Sequence, residues 1–408
     1  MKAKTPPTSP KYKLKEIEKL YQDDKMKIEK PARGRSSLVL ITLIAVATGF
    51  LAGFLGKITF DYLGLAYPEK FGLFSEDTNQ PIVISEREEK IKQNEIHQKI
   101  SPSLVGLYLK KEKGEEGLAS VYLGGERKGS GLVLSSDGLI VATAGAIEDE
   151  QEEYVVITDE QQVLEVTEIY PDPATSFVFL KVASAENLKV AQTRDFKELM
   201  PGDMVYGLEA DNLTGRFSFQ VDRVVSLGRK KTEKMDDLVR STEILGQYVF
   251  TDGFYGPEWE GSPLVDNNGR VIGLYTFSED YASAFIPFSY VSGLATEIIK
   301  EEKLSRIYLG LNYVDLSEAL NIAEALGREK KTGALVYSSV GPAVRKESPA
   351  EKAGLQAGDI ILQAGQSVLG RGTDFSEIIQ ASNIGQKIKL TVEREGADQE
   401  IEVILERH

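Results

Sequence analysis

Between Ile100 and Ile299 the chain breaks into short apolar runs, each bounded by Gly, Pro, Asn or Asp, and this punctuation limits the possible folds more than any other feature. Runs such as Leu104–Leu109, Tyr154–Thr158, Phe177–Val182, Met204–Leu208 and Val271–Phe277 have the length of strands. Their number and spacing predict an all-β barrel or sandwich. The stretch from Gly129 to Gly145 shows the pattern most clearly. Leu132–Leu134 runs out, Asp137-Gly138 supplies a two-residue hairpin turn, and Leu139–Val141 returns. One helix, from Val291 to about Lys303, is expected to close the unit.

Composition removes several chemistries. The 408 residues contain no cysteine, which excludes disulfides, thiol nucleophiles and cysteine-based metal sites. His97 and His408 are the only imidazoles, so neither a histidine-rich metal site nor any cofactor is expected. His97, just ahead of the first strand, reads as a solvated linker residue. The net charge of −15 is uneven: residues 1–35 carry about +6 and the remainder about −21. An acidic body argues against a nucleic-acid partner, because phosphate binding depends on clustered cations.

Ser36 to Gly56 is an uncharged run of 21 residues, about 30 Å long as a helix and matched to a bilayer core. It is expected to be a transmembrane helix. Residues 1–35 form a basic tail ending in Lys30, Arg33 and Arg35, which places the N-terminus in the cytoplasm and the later domains outside. A cleaved signal peptide, with Ala45-Val46-Ala47 at the cleavage site, is the rival reading. Phe60, Tyr62, Tyr67 and Phe71 suit the membrane interface, and residues 57–98 as a whole read as an exposed, charged juxtamembrane stalk.

Seven motifs in residues 96–300 resemble, in order, those of the HtrA (Deg-type) branch of the trypsin-like serine proteases. They are Ser101 to Val105; Gly129-Ser130-Gly131 with Asp137-Gly138; Tyr170 to Pro173 followed by Phe177 to Val182; Pro201-Gly202-Asp203; Val224 to Arg229; Thr251-Asp252-Gly253; and Glu260 to Val265 with Asn268-Gly269. The resemblance implies a double six-stranded barrel over residues 99–303. It also aligns the family's catalytic histidine with Gly145, its aspartate with Ser176 and its serine with Glu260. An acyl-transfer triad needs a nucleophile, an imidazole base and an orienting carboxylate, and none of the three residues supplies its part.

Replacements are few. Ser262 lies two residues past the nucleophile position but has no imidazole nearby in sequence to activate it. Glu258, Glu260 and Asp252 read as solvated loop carboxylates rather than an acid–base pair. Glu260 is accordingly expected to be exposed. The alternative seats its carboxylate on the amide nest of the turn before Pro263, in the oxyanion position.

Residues 304–408 resemble a bacterial PDZ domain of the kind appended to HtrA proteases, an α+β unit. Ile307-Tyr308-Leu309-Gly310-Leu311 matches the carboxylate-binding loop and its strand, Gly333 to Val336 the next strand, Ser348 to Leu355 a small helix and turn, and Gly358 to Leu362 the following strand. Asp374 to Ala381 reads as a helix opened by Asp374 and Glu377. The resemblance implies binding of C-terminal or unfolded peptides by strand addition, with Tyr308, Leu309, Gly310 and Leu311 holding the chain end and Phe375, Ile378 and Ile379 flanking it.

The chain therefore reads as mainly β, with an N-terminal transmembrane helix, a trypsin-like double barrel and a PDZ domain. Its expected role is a membrane-anchored, extracytoplasmic pseudoprotease acting in protein quality control or scaffolding, with homo- or hetero-trimers of HtrA relatives implied by the resemblance. The competing reading is an active serine endopeptidase degrading misfolded envelope proteins. A third is a purely structural module, which would show a blocked PDZ groove.

Overall fold

A computed structural model describes residues 86–112, 117–183, 187–232, 234–278 and 283–407, with seven helical residues between Thr48 and Lys57. The basic tail, the interfacial aromatics, most of the expected membrane helix and most of the stalk lie outside the described residues. Among the described residues no helix is long and apolar enough to cross a membrane. Residues from Ile84 onward form one compact unit.

That unit opens with helix α1 (Glu86–Ile100), which runs into the first of two closed six-stranded barrels. Barrel one comprises β1 (Leu104–Leu109), β2 (Gly129–Val133), β3 (Leu139–Thr143), β4 (Tyr154–Thr158), β5 (Val163–Pro171) and β6 (Phe177–Val182), in the order β1-β2-β3-β6-β5-β4. The Asp137-Gly138 hairpin pairs Leu132 with Val141, as its turn chemistry predicts. The chain continues through β7 (Met204–Asp211), β8 (Arg216–Arg229), β9 (Val239–Ser241), β10 (Gln247–Thr251), β11 (Pro263–Val265), β12 (Val271–Tyr275) and β13 (Ala284–Pro287). Barrel two closes in the order β10-β13-β12-β11-β7-β8 and leaves β9 out.

One core spans both barrels, joining Leu139, Val141, Phe177 and Phe179 to Val205, Leu264, Ile272 and Phe285. Ile96 and Ile100 belong to it and are each 1% exposed, so the end of the segment expected as an exposed stalk is packed. The spacing of four residues puts both isoleucines on one helix face. His97, one position on, is not a solvated linker residue either: its ring stacks on Phe217 with centroids 4.0 Å apart. The closing helix α2 (Leu294–Glu301) is shorter than expected, because Phe288–Val291 forms a 3₁₀ turn and Gly293, at φ 84°, breaks the path between them.

The C-terminal unit contains β14 (Ile307–Tyr308), β15 (Asn312–Asp315), α3 (Ile322–Ala325), β16 (Ala334–Val336), α4 (Pro349–Lys352), β17 (Ile360–Ala364), β18 (Ser367–Val368), α5 (Phe375–Gln380), β19 (Lys387–Arg394), β20 (Ala397–Ile404) and β21 (Glu406–Arg407). Its main sheet runs β20-β19-β17-β16-β15-β9, so the strand that barrel two omits becomes the edge strand of the next domain.

Candidate functional sites

β3 ends at Thr143, and the 3₁₀ turn Ala144–Ala146 that follows carries Gly145. Ala144 N donates to Ser176 O at 2.8 Å, which sets the turn beside the segment leading into β6. Opposite lies Glu260, just after the 3₁₀ turn Pro257–Trp259. The structure thus brings Gly145, Ser176 and Glu260 to one region, and Gly145 and Glu260 into direct contact. A Cβ built on Gly145 would lie 2.6 Å from Glu260 Cδ, closer than atoms approach. The absent side chain is what leaves room for the carboxylate.

Glu260 is 4% exposed, so the expectation of an exposed loop residue is corrected. Its Oε2 accepts from Phe277 N at 2.6 Å. Burial pushes its carboxyl up, against the lowering influence of Thr143, the Phe277 amide, Thr276 and the Gly145 amide. Thr143 Oγ1 lies close enough to act on it, yet neither that oxygen nor Glu260 Oε1 completes a hydrogen bond of good geometry. A half-satisfied buried carboxyl gains from keeping its proton.

The carboxyl is not seated on the amides of its own turn. Trp259 N donates to Gly256 O, Glu260 N to Pro257 O, Gly261 N to Tyr275 O and Ser262 N to Trp259 O, at 2.8–3.1 Å. The turn spends these donors on backbone carbonyls, and none of the four is left for an oxyanion. Gly261 permits this path: its φ is +75°, and a Cβ there would fall 2.0 Å from Ser130 O. Among the described residues the buried Ser262 Oγ meets no hydrogen-bond partner. The imidazole described, His97, is committed to its stack on Phe217, and its burial holds its pKa below the ordinary value. Asp252 and Glu258 are exposed while Glu260 is buried.

The second site is built on Ile307 to Leu311. Gly310, at φ +80°, lies so close to Ser348 that a Cβ would meet that residue's Cβ at 2.3 Å, and the bend it allows turns the amides of Leu309 and Gly310 to one side. Both donate to Glu243 Oε1, at 3.2 and 2.8 Å. Thr242 N donates to Leu311 O at 3.0 Å, and β9 pairs antiparallel with β15, Ser241 opposite Asn312 and Val239 opposite Val314. Gln380 Nε2 donates to Thr242 O and Ile307 O at 2.9 and 2.7 Å.

The other expected binding residues are placed differently. Leu309 and Leu311 are fully buried and Tyr308 partly so, in strand β14 against β21. Phe375 and Ile379 point into the domain core, and Ile378 packs partly buried against it. The residue of α5 that reaches the segment after β9 is instead Gln380, through Thr242 O. Thr242 and Glu243 went unnoticed in the sequence, since a short segment between two barrel strands carries no signal of its partner, and Gln380 went unnoticed because it lies off the apolar face of α5.

Two similarities to known families follow this geometry. Residues 129–274 match the trypsin-like peptidase domain and residues 308–405 the PDZ domain. Similar proteins include a "Probable periplasmic serine endoprotease DegP-like" of Pseudomonas putida, 28% identical over 283 residues, 68% of this chain and 55% of that protein. Another is the "Putative serine protease HhoB" of Synechocystis sp., 30% identical over 276 residues, 65% of this chain and 63% of that one. The chain spans about half the length of most of the curated relatives it matches. Among solved structures, "HtrA-type protease AlgW with decapeptide" superposes with TM-score 0.57 at 19% identity, covering 77% of this chain and 98% of that one. At that identity the likeness is one of fold.

Proposed function

We propose that this HtrA-type pairing of a trypsin-like double barrel with a PDZ domain is a pseudoprotease: it binds protein ends and does not cut them. One observation carries the reading, the Glu260 side chain packed into the space above Gly145. Among the described residues no imidazole stands at the site, Gly145 leaves no room for one, and a buried carboxyl with a raised pKa is a poor acyl acceptor. Loss of one triad member alone leaves only about 10³–10⁴ over the uncatalysed rate.

The uncharged run Ser36–Gly56 and the basic tail before it support a single-pass anchor, with the folded domains on the extracytoplasmic side. In that position the protein would scaffold envelope clients or assemble with active relatives. A structural-module reading is favoured by one observation, the filled groove beside β15. The test of the main reading is casein hydrolysis by the full chain beside its Glu260→Ala variant. The reading expects no turnover above buffer for either; turnover by the wild type would restore the endopeptidase reading.

A further inference from the structure

A PDZ-type domain takes a peptide by adding it as a strand and seating its terminal carboxylate on loop amides. Here both places are taken by the chain itself. β9 is the added strand, antiparallel to β15, and it runs toward the loop. At its end the Glu243 carboxylate receives the Leu309 and Gly310 amides. We propose that Val239–Glu243 is the resident ligand of this groove, an internal strand whose side-chain carboxylate stands in for a chain end. An external C-terminal peptide then binds only by displacing it. The proposal rests on the peptide-binding reading above and adds the competitor.

The contacts are those of a ligand rather than of a passing loop. Glu243 is 6% exposed although charged, and both its oxygens are used: Oε1 by the two amides and the Thr242 hydroxyl, Oε2 by the Ser241 hydroxyl at 2.6 Å. Thr242 makes the backbone bond to Leu311 O that a terminal residue would make, and Gln380 from α5 clamps its carbonyl. Arg240 fastens the strand by pairing with Glu318, with Asp315 at 3.6 Å and with Asp374 at 3.9 Å. Because the segment is tethered at both ends, it competes at an effective concentration on the order of millimolar, and an incoming peptide sees only the open fraction of sites. The matching partner is an extended chain end with a free carboxylate and small hydroxyl-bearing residues in its last positions, as Ser241 and Thr242 provide here.

The experiment uses the full chain and a fluorescein-labelled peptide, Val-Arg-Ser-Thr with a free C-terminal carboxylate, followed by anisotropy. The same peptide as its C-terminal amide is the control. Glu243→Gln keeps the size of the side chain and removes the charge, and it is expected to bind the free-acid peptide about tenfold or more tightly than the wild type, with the amide failing on both. Equal affinities would overturn the competition. A second variant tests residence directly. Ser241→Cys with Asn312→Cys places thiols on opposed residues of a chain without cysteine, at a cross-strand spacing a disulfide can bridge. The disulfide should form on mild oxidation and abolish peptide binding, and reduction should restore it. Failure to form would overturn the resident strand. A disulfide that forms while no version of the protein binds peptide would overturn displacement and the peptide-binding reading together, leaving β9 a permanent part of the sheet.

Discussion

Glu260 is a titratable group with a definite pH signature. Burial raises its folded pKa above the ordinary 4.5. Between those two values the folded state holds a proton that the unfolded chain has released, so its contribution to stability falls as pH rises through that window. Glu260→Gln removes the titration and keeps an acceptor for Phe277 N. Its melting temperature should match the wild type near pH 4, roughly where both states are protonated, and gain on it as pH rises. A difference that stays constant with pH would refute the buried, raised carboxyl. Asp374 works in the opposite sense: the Arg229 guanidinium beside it offsets its burial and holds its carboxyl down to about 2, so its contribution is present above 3.8 and is lost as pH falls from 3.8 through about 2. The comparison with Glu260→Gln separates the two. What the sequence could reveal about Glu260 was its identity within an ordered motif. Its burial depends on a missing side chain at Gly145, distant in sequence, and no local pattern encodes that.

At the scale of elements, buried ion pairs fasten the connection between the domains. Arg306, ahead of β14, grips Asp172, ahead of β6, through Nε at 2.9 Å and Nη2 at 2.5 Å, with Tyr290 O accepting a further bond. The two are 6% and 4% exposed. Arg306→Ala would leave Asp172 buried with only Thr175 and the Ala174 amide, and should cost about 3–5 kcal/mol in denaturant unfolding. A loss under about 1 kcal/mol, the size of a surface pair, would contradict that placement. The regular strands were legible because each alternates or bears a turn signal. β9 was not: three residues, Val-Arg-Ser, have no period, and their partner belongs to another domain. In α5 the reading found the apolar face and took it for the groove. Phe375 and Ile379 face the core because they are apolar, and the polar Gln380 is left to meet Thr242 at the end of the strand.

At the scale of the whole molecule, the double barrel and the domain after it follow from recurrent short strands and from motif order, which are properties of sequence. How they dock is a property of surfaces. Arg229 from β8 donates to Asp374 and Ser376 at 2.7 and 2.9 Å, Tyr290 donates to Glu377 at 2.6 Å, and β9 crosses into the neighbouring sheet. Two of the molecule's own carboxyl groups are buried in these surfaces: Glu260 packs over Gly145, and Glu243 accepts the Leu309 and Gly310 amides. The most direct measurement of the central claim is intact-mass analysis of the full chain after exposure to a fluorophosphonate, which reports an activated hydroxyl whatever the substrate. The account predicts no adduct. A stoichiometric adduct, lost in Ser262→Ala, would show a working nucleophile beside Glu260 and contradict it.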